Sequence, residues 1–137
     1  MKNTKKQKVL IFDLFGVLIG AKDSAEVLEF LREKRSEGHK IGLLSNVAKY
    51  TFDQIFSEKE QAELFDEIVL SGEVYLMKPD REIFEMMAEK LDEDLDNCVM
   101  IDDSEDNIAG ARFIKMQGIL FKNAAQLRED FKGIEEE

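Results

Sequence analysis

Six polar residues stand against short apolar runs, and their types suit one chemistry. Asp13 follows the run 9–12, Ser45 and Asn46 follow 41–44, and Asp102 and Asp103 follow 99–101; Lys78 stands just before Pro79 and a segment of helical spacing. Carboxylates gathered together repel one another and call for a cation, and all-oxygen donors select a hard ion such as Mg2+. With a hydroxyl and an ammonium added, the set is equipped for phosphoryl transfer. The cation and Lys78 neutralise phosphate oxygens, Ser45 orients them, and Asp13 attacks phosphorus.

Taken singly, most of these residues have a plainer reading. Ser45 or Asn46 alone reads as the N-cap of a helix starting near Val47. Asp102 and Asp103 alone open a loop, and Lys78 alone is a surface lysine. Asp13 is harder to set aside, because a carboxylate inside the apolar stretch 9–19 is costly unless solvated, paired or bound to metal. The order of the six along the chain favours a common site.

For that site to form, the chain must bring distant residues together. Five apolar runs, 9–12, 41–44, 68–70, 99–101 and 119–121, lack polar alternation, as do strands covered on both faces of a parallel sheet. Between them lie segments of helical spacing. Val27, Phe30 and Leu31 form one apolar face; Ile83, Met86, Met87 and Leu91 form another; Ile108, Ala109, Arg112 and Phe113 form a weaker third. Gly38 ends the first helix, Pro79 and Asp80 mark the start of the one carrying Ile83, and Ser104 caps the one carrying Ile108. The region 50–70 reads as helix, turn and strand. Alternating strands and helices imply a three-layer, Rossmann-like α/β fold with about five parallel strands. In such sheets ligands bind beyond the carboxyl ends of the strands, where the six residues stand.

Composition limits the partners. The chain has 137 residues, enough for one domain, and the reading is a single domain over 1–137. Its formal net charge of −11 opposes binding to nucleic acid or an anionic membrane. Cys98 is the only cysteine, so no internal disulfide forms; its apolar setting reads as a packed thiol. Lys2, Lys5, Lys6 and Lys8 before the apolar stretch 9–21 have the outline of a secretory signal, but Asp13, Gly16 and Gly20 interrupt it. A buried strand and a cytoplasmic location are expected. His39 reads as an exposed connector, and Glu135, Glu136 and Glu137 as a frayed, solvated end.

The motifs resemble those of the haloacid dehalogenase-like hydrolase superfamily. Ile11-Phe12-Asp13-Leu14-Phe15-Gly16-Val17-Leu18 is similar to its first motif, Leu43-Leu44-Ser45-Asn46 to its second, Lys78-Pro79-Asp80 to its third, and Ile101-Asp102-Asp103-Ser104-Glu105-Asp106-Asn107 to its fourth. The resemblance implies a sheet of strand order 5-4-1-2-3 and an aspartyl-phosphate on Asp13. It also implies phosphate held by Ser45, the Asn46 amide and Lys78, with Lys78 screening charge. Mg2+ is then bound by Asp13, the Phe15 backbone carbonyl and Asp103, with Asp102 as an auxiliary ligand or a support for Lys78. The implied partner is a phosphorylated substrate, small or bulky, with an oligomer open.

Two departures from the family pattern matter. Phe15 stands where family phosphatases have a general acid–base aspartate. It keeps the carbonyl and loses the proton-transfer group, a loss typically of ~10²–10⁴-fold. Slow turnover and a preference for good leaving groups follow. The interval of 32 positions from Asp13 to Ser45 holds one helix, where many relatives insert a cap domain, so no cap and an open site are expected. Three rivals remain: an inactive binding protein of the same fold, a metal-independent 2-haloacid dehalogenase, and a receiver-type phospho-acceptor. The receiver carries its acidic pair and its Lys-Pro in a different order.

Overall fold

Neighbouring residues of each strand enter two different apolar layers, which is why the strands carry no polar stripe. Leu10 and Phe12 of the first strand pack with Ile41 and Leu43 on one face, whereas Val9 and Ile11 pack with Leu44, Cys98 and Met100 on the other. This is the burial pattern of a sheet covered on both sides. The structure, a computed structural model, describes residues 7–137. Lys2, Lys5 and Lys6 of the basic segment lie outside the described residues.

The strands are β1 (Val9–Phe12), β2 (Ile41–Ser45), β3 (Glu67–Leu70), β4 (Cys98–Asp102) and β5 (Gln117–Leu120). All pairings are parallel, in the order β3-β2-β1-β4-β5, which read from the other edge is 5-4-1-2-3. The helices are α1 (Ser24–Ser36), α2 (Lys49–Ile55), α3 (Glu58–Leu64), α4 (Ser71–Val74), α5 (Arg81–Leu91), α6 (Glu105–Phe113) and α7 (Ala124–Glu135). Residues from α1, α2, α3 and α7 enter one layer, and residues from α5 and α6 the other. No helix among the described residues is long and apolar enough to cross a membrane.

Local signals account for most boundaries. Ser104 accepts a hydrogen bond from the Asn107 N–H and caps α6, with Glu105 and Asp106 in its first turn favoured by the helix dipole. Asp80 is the N-cap position of α5, directly after Pro79. Gly38, at φ +99°, follows the end of α1.

Several expectations need correction. The region 50–70 holds two helices, because Ser57 and Glu60 form a capping box that starts α3 anew after α2. Phe52, Phe56 and Phe65 bury themselves there as an aromatic cluster with ring centroids 5.7–6.2 Å apart. The buried face of α6 is Ile108 and Ala111, while Phe113 points to solvent. His39 is buried, not an exposed connector. Its Nδ1 lies 2.7 Å from the Lys8 carbonyl oxygen, its Nε2 lies 3.3 Å from Glu135, and its ring meets Phe131 edge-on. The acidic end is correspondingly anchored: α7 runs to Glu135, and Glu137 accepts a hydrogen bond from Gln117.

Phe30 joins these parts, lying edge-on to both Phe12 and Phe131 with Lys34 and Arg128 over its ring. Phe30→Ala should cost about 3–5 kcal/mol of unfolding free energy, measured by urea denaturation. A loss below about 1 kcal/mol would mean that α1 and α7 close the gap.

Candidate active site

The carboxyl ends of β1, β2 and β4 deliver Asp13, Ser45 and Asp102 to one edge of the sheet. The Asp13 N–H donates to the Ile101 carbonyl at 2.9 Å, which holds the end of β1 against β4. Lys78 arrives from the segment between α4 and α5 and is only 3% exposed. Its ammonium donates to Asp13 Oδ1 at 2.8 Å, to Asp102 Oδ2 at 2.8 Å and to the Leu44 carbonyl at 2.9 Å. All three of its donors are therefore used inside the protein.

Two devices hold the lysine's backbone. Asn46 accepts from the Lys78 N–H at 2.8 Å and donates to the Lys78 carbonyl at 3.0 Å. On the opposite side, Gly110 lets α6 approach closely; a Cβ at that position would stand 2.8 Å from both Cβ and O of Pro79. The plainer readings of these residues thus fail. Lys78 is not a surface lysine, and neither Ser45 nor Asn46 caps α2, whose N-cap position is Ala48. Ser45 is buried at the end of β2, in register with Leu70 of β3.

Asp102 is fully buried and bonded through both oxygens. Its Oδ2 accepts from Lys78 and from Asn107 Nδ2 at 3.1 Å, and its Oδ1 accepts from the Ser104 N–H at 3.0 Å. Asp103 is more exposed and lies against the loop that follows β1. That loop is a tight turn in which the Val17, Leu18 and Ile19 N–H groups converge on the Leu14 carbonyl. Gly16 adopts φ +87°, and a Cβ there would collide with the Asp103 carboxylate. Only glycine meets both conditions. Phe15, in the same turn, is 48% exposed.

Oxygens of Asp13, Asp102 and Asp103 all lie within 4.8 Å of one another. One ammonium faces these carboxylates, so negative charge is in excess. Burial pushes the Asp13 carboxyl up to about 6, against the pull of Lys78 and with a further push from Asp102. Asp103 is raised too, by burial and then by Asp102. Carboxylates held above their ordinary range by burial first and by a neighbouring carboxylate's charge second fit a divalent cation among them. A cavity of about 680 Å3 opens beside Gly16 and Asp103, with Lys22, Phe121 and Lys122 among its walls. Cys98 lies elsewhere, with its thiol pushed up to about 12 by burial, which leaves it a packing residue.

The structure thus brings Asp13, Lys78, Asp102 and Asp103 together and places Ser45, Asn46 and Phe15 around them. Sequence reasoning missed three supports: the Asn46 side chain as a clamp on Lys78, Asn107 as a donor to Asp102, and Gly110 as the gap that admits Pro79. Asn107 carried a signal, three residues after the cap Ser104. Gly110 in mid-helix, where glycine is unfavourable, carried another.

A model of the haloacid dehalogenase-like hydrolase family matches residues 20–114, more than half of the chain, and the protein belongs to that family. It is similar to the sesquiterpene phosphatase astK of Aspergillus oryzae, with 26% identity over 69% of this chain and 48% of that protein. An uncharacterized protein from Corynebacterium glutamicum superposes with a TM-score of 0.83 at 26% identity, over 94% of this chain and 95% of that one. A HAD family enzyme from Bacteroides thetaiotaomicron, an Asp-to-Ala mutant in complex with magnesium and inorganic phosphate, gives a TM-score of 0.63 at 27% identity, over 69% and 51%. The chain spans about a fifth to a half of the length of the curated relatives it matches.

The raised Asp13 pKa has a consequence for stability. The folded chain holds this proton more tightly than the unfolded chain, whose carboxyl titrates near 3.8. Between about pH 4 and 6 the native state therefore binds more protons, and its stability falls as pH rises. Above that window the full cost applies, on the order of 3 kcal/mol. Without added metal, Asp13→Asn should raise the thermal midpoint at pH 7.5, and the gain should vanish near pH 4. A lower midpoint at pH 7.5 would mean that Lys78 depends on Asp13 more than on Asp102.

Proposed function

We propose that the protein is a Mg2+-dependent phosphoryl-transfer hydrolase acting through an aspartyl-phosphate on Asp13. The observation that carries this reading is the buried Asp13 carboxylate, bonded at 2.8 Å to a lysine with no donor to spare. That lysine fixes one carboxylate oxygen and leaves the other for attack. Support comes from the family membership and from the magnesium and phosphate bound by the Bacteroides relative.

In this reading, Asp13 attacks phosphorus, its oxygen–phosphorus bond forms, and the bond to the leaving-group oxygen breaks. Water then cleaves the acyl phosphate, releasing inorganic phosphate and restoring the carboxylate. Ser45 and the Asn46 N–H hold phosphate oxygens, and Lys78 screens the charge between nucleophile and phosphate. The donors that would hold Mg2+ are Asp13, the Phe15 carbonyl and Asp103, with Asp102 as an auxiliary ligand or as support for Lys78. When bound, the ion neutralises phosphate oxygens as a Lewis acid. The single-domain organisation without a cap, the open site and a cytoplasmic location belong to the same proposal, as does a phosphorylated substrate.

Phe15 supplies no proton. A leaving group must therefore depart as an anion, which a phenol, ionising near ~10, does more readily than an aliphatic alcohol. Acyl, aryl and anomeric sugar phosphates suffer least.

The deciding experiment is phosphate release from p-nitrophenyl phosphate with and without Mg2+, beside Asp13→Asn. Release that requires both the ion and Asp13 is expected. Release equal to that of the variant would transfer the reading to an inactive binding protein of this fold. Rates on aryl esters should exceed those on alkyl esters by about 10²-fold or more; equal rates would show that another group donates the proton.

A further inference from the structure

The cavity of about 680 Å3 is joined to the carboxylate cluster by two residues of its own wall. Asp103 lines it and also belongs to the cluster, whose oxygens all lie within 4.8 Å of one another. Gly16 lines it as well, so close to Asp103 that a Cβ there would collide with the carboxylate. A phosphate at Asp13 therefore has this cavity beside it. The volume falls within the range of small-molecule sites, roughly 300–1,000 Å3.

The charges of that wall add a second observation. Lys22 and Lys122 line the same cavity, from the segments just before α1 and α7. Neither ammonium has a hydrogen-bond or ion-pair partner among the described residues. Asp23 and Glu26 are in the wall too, yet they do not neutralise the lysines. Asp23 Oδ2 instead accepts from the Ala124 N–H at 2.6 Å, at the start of α7, and Glu26 lies in the first turn of α1. The remaining wall carboxylate, Asp103, belongs to the cluster. In a chain of net charge −11, two uncommitted cations in one cavity make a local field opposite to that of the whole molecule.

We propose that Lys22 and Lys122 form a second anion subsite, which holds an acidic group on the leaving side of a substrate whose reacting phosphate sits at Asp13. Here the proposal rests on the phosphate site read above. The substrate class is a phosphorylated compound with a second anionic group near the first, either a diphosphate or a phosphorylated carboxylate. The subsite also answers the lack of a proton donor at Phe15. As the bond from Asp13 to phosphorus forms, the bond to the leaving oxygen breaks, and its electron pair departs with the leaving group. No proton is needed, because the two ammonium groups stabilise the departing anion.

The test is calorimetric binding of three non-hydrolysable compounds in saturating Mg2+: methylphosphonate, methylenediphosphonate and phosphonoacetate. They are compared on the wild type and on the double variant Lys22→Gln, Lys122→Gln; both side chains are exposed, so the variant should fold. A second double variant, Lys59→Gln, Lys132→Gln, removes the same charge outside the cavity. At least one of the two-anion compounds should bind the wild type about tenfold tighter than methylphosphonate. That ratio should fall below about threefold in the cavity variant and persist in the other. Equal affinities in the wild type, a preference that survives the cavity substitutions, or an equal loss in both variants would overturn the subsite. No binding of any of the three would overturn the phosphate site and the subsite with it. Turnover of acetyl phosphate, which carries no second anionic group, reports on the reaction separately. Selective binding without that turnover keeps the subsite and rejects the hydrolase. The two-anion compound whose affinity falls further in the cavity variant identifies the substrate as a diphosphate or as a phosphorylated carboxylate.

Discussion

The arrangement of this protein depends on one buried cation. Lys78 divides its three donors among Asp13, Asp102 and a strand carbonyl, and so ties the ends of β1, β2 and β4 to one point. An ammonium so deeply buried is tolerated only with full pairing, and two carboxylates provide more than enough. The surplus negative charge is what makes the site receptive to a further cation. Asp102 has no exposed surface and is bonded through both oxygens, whereas Asp103, one residue later, faces the loop carrying Phe15. Adjacent aspartates thus take different parts because the end of a strand turns one inward and the other out.

The lysine is as dependent on its surroundings as they are on it. Asn46 holds it through both backbone groups, and α6 closes on Pro79 at Gly110. Neither device touches a reacting atom. Each fixes the direction from which the ammonium enters, and a positioned charge acts far more strongly in a dry site than a mobile one in water.

Much of this was legible in the sequence. Strands covered on both faces show themselves as continuous apolar runs, and polar residues terminating such runs must meet at one edge once the sheet is parallel. That reasoning locates Asp13, Ser45, Asp102 and Asp103 without reference to any relative. What stayed hidden depends on contacts between distant segments. His39 sits in a polar turn, and its burial comes from α7, which brings Phe131 and Glu135 to it. The face of α6 was misread because Phe113 is apolar yet points outward, while the small Ala111 does the packing. Asn46 reads as a site residue through its backbone amide, and its side chain's partner, 32 residues away, carries no local signal.

The span of these links bears on how the molecule comes into being. Lys78 reaches Asp13 across 65 residues and Asp102 across 24. Such contacts close large loops whose entropy must be overcome before any bond rewards it, so they belong to the late part of folding. The lysine–carboxylate cluster therefore has no local precursor: no single hairpin or helix pair contains it. The burial of one lysine ammonium reports that β1, β2 and β4 have come together, and loss of any of those three strands removes one of its partners.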